Sequence, residues 1–379
     1  MENHFVRGYN TDLKMRLEHE KPEIRLGDRI ISADAGVFVI AEIGINHNGS
    51  VEEAVKLIDA AADCGADAVK FQSFRADQLL ICSRDRYAQQ SGEESAYDLL
   101  RRCELSFDEQ ERLKLSADKR GIMFLSTPFD NESVDFLDNL GVPAFKVASG
   151  DITYIPLLRH IASKGKPVFL STGMSYLDEV IEAVRYLREG GSPEILLMHC
   201  TASYPASPDD MNLRALETLQ SYFGLLTGLS DHSQGVMFSV AAAAMGAVAV
   251  EKHFTLDRNA DGPDHKASLD PDGLKKLVEN LRLLDKGMGS GGKHPAKTEK
   301  EGRILGRRSI VAAVDIKAGE QIMADMLTYK RPGVGIAPRY RDHVEGMTAR
   351  RFIEKDAIIM WEYLNTSAPP AEQHIDGPA

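Results

Sequence analysis

The chain has 379 residues and a formal net charge of −12, from 45 Lys plus Arg against 57 Asp plus Glu. Its 43% hydrophobic and 27% charged residues are those of a globular protein, and no run approaches the ~20 apolar residues that span a bilayer. The acidic balance argues against a nucleic-acid surface, which needs a basic stripe, and predicts that the protein as a whole repels an anionic substrate.

Residues 1–24 are polar and aperiodic. They carry no apolar core, so no secretory leader is expected, and residues 1–35 read as an extension and lead-in to the first apolar element. Cys64, Cys82, Cys103 and Cys200 are widely spaced with no Cys-x-x-Cys, as expected of reduced thiols in a cytoplasmic protein.

From residue 36 onward, strand-length apolar bursts recur: GVFVIAEIG, ADAVKFQ, IMFLST, PAFKVASG, PVFLST, EILLMHCT, GLLTGLSDH and AVAVEKHF. Each is followed by a segment of helical period, from SVEEAVKLIDAAADCG to PDGLKKLVENLRLLDKGMG. Ser50 and Glu53 have capping-box spacing for the first helix. Gly65, Gly121, Gly141, Gly165, Gly190 and Gly246 close helical runs, where a left-handed cap favours glycine. Eight near-continuous apolar strands alternating with helices predict a parallel α/β fold, a (β/α)8 TIM barrel over residues 36–286, close to the ~250 residues typical of one. A doubly wound sheet is the competing topology, but no Gly-x-Gly-x-x-Gly follows the first strand.

Composition breaks at GMGSGGKHPAKTEKEG, residues 287–302, which reads as a linker. Residues 303–366 change to short β-type pieces and turns, predicting a small β-rich domain. Residues 367–379 are expected to be a disordered tail.

Barrel active sites form at the C-terminal ends of the strands. Read in order, those ends carry Glu42; Lys70 and Gln72; Ser126 and Thr127; Lys146 and Ser149; Ser171 and Thr172; His199; Ser230, Asp231 and His232; and Glu251, Lys252 and His253. Any one has a bland account, since a lone Ser caps a helix, a lone His bonds a backbone group and a Lys reaches solvent. A polar terminus on every strand is harder to dismiss. Two lysines with several hydroxyls suit a small anion bearing both carboxylate and phosphate. Alternation puts Lys70 and Gln72 on one face, and Glu251 with His253. His232 and His253 end adjacent strands and suit a divalent first-row metal such as Mn²⁺, mutual packing being the alternative. Glu42 is a candidate general base, or a group orienting water at such a metal. The loop DGPDHKASLDP, residues 261–271, is a candidate lid, with Asp264 its foremost carboxylate.

With these residues in place the chain resembles the sialic acid synthases, phosphoenolpyruvate-condensing enzymes that make nine-carbon nonulosonic acids. The resemblance runs from about Glu23 to Leu364 through IAEIGINHNGS, AVKFQSF, LSTPFD, FKVASGD, LSTGM, HCTASYP, GLSDHS, EKHFTLD, GPDHKASL and KRPGVG, in the family's order. The C-terminal piece is similar to that family's antifreeze-like (SAF) domain. The resemblance implies a transferase that adds phosphoenolpyruvate and water to an open-chain N-acylated hexosamine, N-acetylmannosamine being favoured, with loss of phosphate by C–O cleavage. It implies phosphoenolpyruvate contacts from Lys70, Thr127, Lys146, Ser149, Ser171 and Ser230. Sugar contacts would come from Gln72, Tyr204, Glu251 and Asp264. It further implies metal ligands at His232 and His253 for Mn²⁺, with Mg²⁺ or Co²⁺ as substitutes, and an acidic residue at Glu42 near the reacting water. Arg331 would be lent to the neighbouring subunit's sugar in a domain-swapped homodimer.

Ala202 stands where many N-acetylneuraminate synthases carry Asn. Legionaminic and pseudaminic acid synthases, which take 2,4-diacetamido-2,4,6-trideoxyhexoses, share most of these motifs and are the alternative. A synthase of a 3-deoxy-ulosonic acid phosphate would need further basic residues. A non-catalytic carbohydrate-binding or ice-binding protein is the reading from a different class.

Overall fold

Apolar strands that bury both faces need helices outside and packed side chains inside, and closure into a ring supplies both. The computed structural model describes residues 22–81 and 95–365, and all eight predicted bursts form strands. A short antiparallel hairpin, β1 (Glu23–Leu26) and β2 (Arg29–Ser32), comes first. The barrel strands are β3 (Phe38–Gly44), β4 (Ala68–Ser73), β5 (Met123–Pro128), β6 (Phe145–Val147), β7 (Val168–Ser171), β8 (Ile195–Cys200), β9 (Leu226–Asp231) and β10 (Ala249–His253). They pair in parallel in the order β5-β4-β3-β10-β9-β8-β7-β6, and the end strands β5 and β6 lie against each other, so the barrel is nearly closed.

Around it stand α1 (Val51–Asp63), α2 (Ala76–Leu79), α3 (Ala96–Cys103), α4 (Phe107–Arg120), α5 (Asn131–Leu140), α6 (Ile155–Ala162), α7 (Leu177–Gly190), α8 (Ala215–Phe223), α9 (Met237–Ala244) and α10 (Pro271–Met288). Alternation along each strand makes two cores. Val39, Ala41, Val69, Phe124, Val168, Leu170 and Leu197 pack outward with the helices. Phe38, Ile40, Ala68, Leu125, Phe169, Leu196 and Ala249 pack inward. The inner core also takes Ile24, Leu26 and Ile31 from the hairpin, which thus forms the barrel floor. This hairpin lies in what the sequence reads as lead-in; its Ile-x-Leu-Gly-Asp-x-Ile-Ile run alternates around a turn at Gly27 (φ 61°).

Local signals behave as their chemistry predicts, with two exceptions. Ser50 caps α1 by accepting from Glu53 N, but its own N–H donates to His47 O and the Glu53 carboxylate takes Lys56, so the reciprocal half of the capping box does not form there; it forms at Ser106 and Glu109 of α4. Gly190 does not take the left-handed cap. It remains helical, where a Cβ would lie 2.5 Å from Ala162 Cβ, and Gly191 (φ 108°) ends the helix instead.

A second compact unit begins at Gly289. Part of the expected linker is ordered as α11 (Lys300–Gly306), followed by the antiparallel pair β11 (Ser309–Ala312) and β12 (Leu327–Lys330) and the short α12 (Arg341–Val344). Its core is Ile310, Ile316, Ile322, Ile336, Ile353 and Ile359 with Val344 and Leu364. Cys82, most of the polar N-terminal extension and the expected tail lie outside the described residues.

Candidate active site

Strand alternation decides which polar termini meet. Glu42, Lys70, Thr127, Lys146, Ser171, Ser230, Glu251 and His253 are buried within the barrel ends. Lys70 Nζ lies 2.7 Å from Glu42 Oε2, 3.0 Å from Thr127 Oγ1 and 3.7 Å from Glu251 Oε1. Lys146 Nζ reaches across the barrel to both Glu251 oxygens, at 2.9 and 3.0 Å, and Ser230 Oγ donates to Glu251 Oε1 at 3.1 Å. Gln72 Nε2 donates to Glu42 Oε1 at 3.3 Å. Ser149 Oγ accepts from Gly173 N at 2.9 Å, and the buried Ser171 hydroxyl has no hydrogen-bond partner among the described residues.

Four expected strand-end residues point the other way. Ser126 bonds Ser73, which bonds Gln110 of α4; His199 donates to Met211 O; Asp231 and Lys252 pair with each other behind the wall. Each lies one position out of phase with its inward neighbour, so the inward set is smaller than the strand ends suggest.

Charge in the inward set balances, two lysines against two carboxylates. Burial opposes ionisation of Glu251, but Lys146 and Lys70 outweigh it and hold the carboxyl at about 2. Burial dominates at Glu42, whose pKa is raised despite Lys70. Lys70 is likewise desolvated, yet Glu251 and Glu42 raise its pKa, whereas burial wins at Lys146 and lowers it. A dianion entering this set meets two lysines already engaged by acids, and must share or displace them.

The two imidazoles end adjacent strands as expected, with ring centroids 5.3 Å apart. His232 donates from Nδ1 to Thr201 O at 2.9 Å, which leaves Nε2 as the lone-pair nitrogen. Burial first, then the neighbouring His253, pushes its pKa down to about 3, so the ring is neutral. His253 Nδ1 is buried without a hydrogen bond among the described residues, 3.7 Å from Asp264 Oδ2. A neutral ring fixed by a carbonyl beside a ring with an unpaired nitrogen is a donor set that fits a divalent first-row metal. Among the described residues no group of three or more His, Cys, Asp or Glu closes a shell, so water or substrate oxygens would complete it. Tyr204 roofs the pair, 4.1 Å from the His232 ring and edge-on to His253 at 5.5 Å.

Several site-forming residues carry no role in the sequence reading. Asn46 Nδ2 donates to Phe254 O and Ser268 Oγ, both at 2.9 Å, and Asn48 Nδ2 to Asp261 O at 3.0 Å. These bonds bolt the loop after β3 to the loop carrying Asp264. The asparagines in INHNG were the available signal. Asp151, after β6, has a buried Oδ2 without a partner among the described residues, and burial raises its pKa to about 6. A cavity of about 700 Å³ opens at the ends of β7 and β8, lined in part by Thr172, Tyr176, Cys200, Thr201 and Ala202. Arg331 belongs to the second unit, exposed just after β12.

The chain matches the NeuB family over residues 57–293 and the SAF domain over residues 307–365. It is 44% identical to the N,N'-diacetyllegionaminic acid synthase of Campylobacter jejuni, over 85% of this chain and 98% of that protein. It is 42% identical to the enzyme of the same name from Legionella pneumophila, over 86% and 94%. The solved N-acetylneuraminic acid (sialic acid) synthetase of Leptospira borgpetersenii superposes with a TM-score of 0.69 at 36% identity, over 75% of this chain and 96% of that one.

Proposed function

The chain belongs to the NeuB family, and from that premise we propose that it condenses phosphoenolpyruvate with an N-acylated mannosamine-type sugar and water to give a nine-carbon nonulosonic acid and phosphate. The observation that carries this reading is the convergence of Lys70 and Lys146 on Glu251 inside the barrel, ringed by the hydroxyls of Thr127, Ser171 and Ser230. Such a site offers phosphate and carboxylate oxygens two cations and several O–H donors away from water.

In this reading Lys70, Lys146, Thr127, Ser149, Ser171 and Ser230 bind phosphoenolpyruvate. Gln72, Tyr204, Glu251 and Asp264 orient the sugar, whose aldehyde carbon is attacked by C3 of the enol. Glu42 takes a proton from the water that adds at C2 before phosphate leaves, and its raised pKa moves it toward the range of an effective base. Mn²⁺, or Mg²⁺ or Co²⁺, held by His232 and His253 would supply Lewis-acid stabilisation of the oxygen charge that develops at the aldehyde. A second copy would contribute Arg331 to the sugar in a domain-swapped homodimer.

For the sugar, the two relatives named for diacetyllegionaminic acid and the Ala202 in CTASYP favour 2,4-diacetamido-2,4,6-trideoxymannose over N-acetylmannosamine. The test is phosphate release from phosphoenolpyruvate and Mn²⁺ with each sugar, compared as kcat/KM. A higher value for the diacetamido sugar supports this choice, and the reverse order returns it to N-acetylmannosamine. Release with neither sugar overturns the synthase reading and favours a carbohydrate-binding role.

A further inference from the structure

Asp231 and Lys252 face each other in the register of β9 and β10, one residue before His232 and one before His253. Lys252 Nζ lies 3.0 Å from Asp231 Oδ2, and both side chains are wholly shielded from water. The remaining valences are filled. Asp231 Oδ1 accepts from Ser233 N at 2.8 Å and Ser233 Oγ at 2.6 Å, while Oδ2 accepts from Ser239 Oγ of α9 at 2.5 Å. Lys252 Nζ also donates to Ser233 O at 2.5 Å. The residues on both sides of His232 are therefore tied to the residue before His253.

Stability alone does not explain such a pair, because well-packed apolar side chains would serve a buried position as well or better. What an ion pair adds is direction. Successive side chains on a strand alternate. With 231 and 252 anchored toward α9, residues 232 and 253 must turn to the opposite face, where the two imidazoles come to 5.3 Å.

We propose that the Asp231–Lys252 pair is the positioning element of the two-histidine centre, fixing the inward aim and separation of His232 and His253 from behind the barrel wall. The proposal rests on reading those histidines as metal ligands. It assigns no chemistry to Asp231 or Lys252, which touch neither substrate nor reacting atoms.

The test measures equilibrium Mn²⁺ affinity, by the electron paramagnetic resonance signal of the free ion, and metal-free phosphoenolpyruvate affinity on the full chain. Asp231→Asn/Lys252→Met removes both charges with little change in volume, leaving no unpaired ion. Its Mn²⁺ affinity should fall about 10- to 100-fold, the range seen when groups behind metal ligands are removed, while phosphoenolpyruvate affinity and cooperative melting are retained. Ser239→Ala, which deletes one bond to Asp231, should give a smaller loss in the same direction, and it decides the matter if the double variant does not fold. Unchanged Mn²⁺ affinity in a folded variant overturns the proposal, as does a parallel fall in both affinities, which would mark a merely structural pair. Absence of Mn²⁺ binding by the parent chain, or its survival in His232→Ala/His253→Ala, overturns the metal reading itself and is a separate result.

Discussion

Lys146 Nζ stands 2.9 and 3.0 Å from the two carboxylate oxygens of Glu251, on strands at opposite sides of the barrel, with both side chains about 5% exposed. The pair resolves the problem posed by a chain of net charge −12 that is read as binding an anion. Whole-molecule charge acts at long range and is screened within about 10 Å by salt, whereas the pocket's field comes from a few buried groups. Those groups sum to zero, so an incoming anion meets a balanced site.

Glu251→Gln should uncover two buried lysines. Removing one partner of a buried pair costs roughly 3–5 kcal/mol, so urea unfolding of the ligand-free variant should shift by about that amount. Phosphoenolpyruvate supplies the missing negative charge, and the stability gap to the parent should narrow at saturating ligand. A gap that stays constant with ligand would show that the lysines do not receive it.

Glu42→Gln should depress kcat by about 10²- to 10⁴-fold, the usual contribution of a proton-transfer group, with phosphoenolpyruvate affinity little changed. Steady-state kinetics and direct binding separate the two. Equal kcat in variant and parent removes Glu42 from the chemistry.

Asp151 gives a pH signature. Burial raises its folded pKa from an unfolded 3.8 to about 6, so the folded state holds the proton more tightly. The resulting stability is fully present below about pH 4 and is lost as pH rises through 6. Asp151→Asn should lack this loss, and urea midpoints at pH 4, 5, 6 and 7.5 should show the variant gaining on the parent across that window. Parallel profiles would mean that the carboxyl is better solvated than its unpaired Oδ2 implies.

Ile31→Ala should destabilise the barrel from its floor. The side chain is buried among Phe38, Phe169 and the other inward apolar residues, and truncation of such a group costs about 2–5 kcal/mol. Chemical denaturation measures the loss, and a shift below about 0.5 kcal/mol would show that the hairpin only rests against the barrel.

Much of the framework is written locally. Each barrel strand is an apolar run, and the left-handed caps at Gly65, Gly121, Gly141, Gly165 and Gly246 punctuate the helices. At 190 the sequence is ambiguous because two glycines follow one another, and only the closeness of Ala162 shows which one must stay helical. Helix α3 has no clear sequence signature because eight residues carry too short an amphipathic period. The hairpin is not legible in the sequence because four-residue strands surrounded by polar sequence look like a lead-in until a barrel floor exists for them to cover.

Within the candidate site, period-two alternation was enough to place Lys70 with Gln72, and Glu251 with His253. It could not say which of two consecutive polar residues faces inward. Ser126, His199, Asp231 and Lys252 took the outer face. The amino-acid order by itself determined the number of barrel strands, the strand–helix alternation and the residue types available at each strand end, because these are local patterns along the chain. Only the tertiary structure decided the phase of each strand, the Lys146–Glu251 bridge across the barrel and the balance of charge inside it. Those depend on groups about 100 residues apart, and no local pattern records a distance that exists only after the barrel closes.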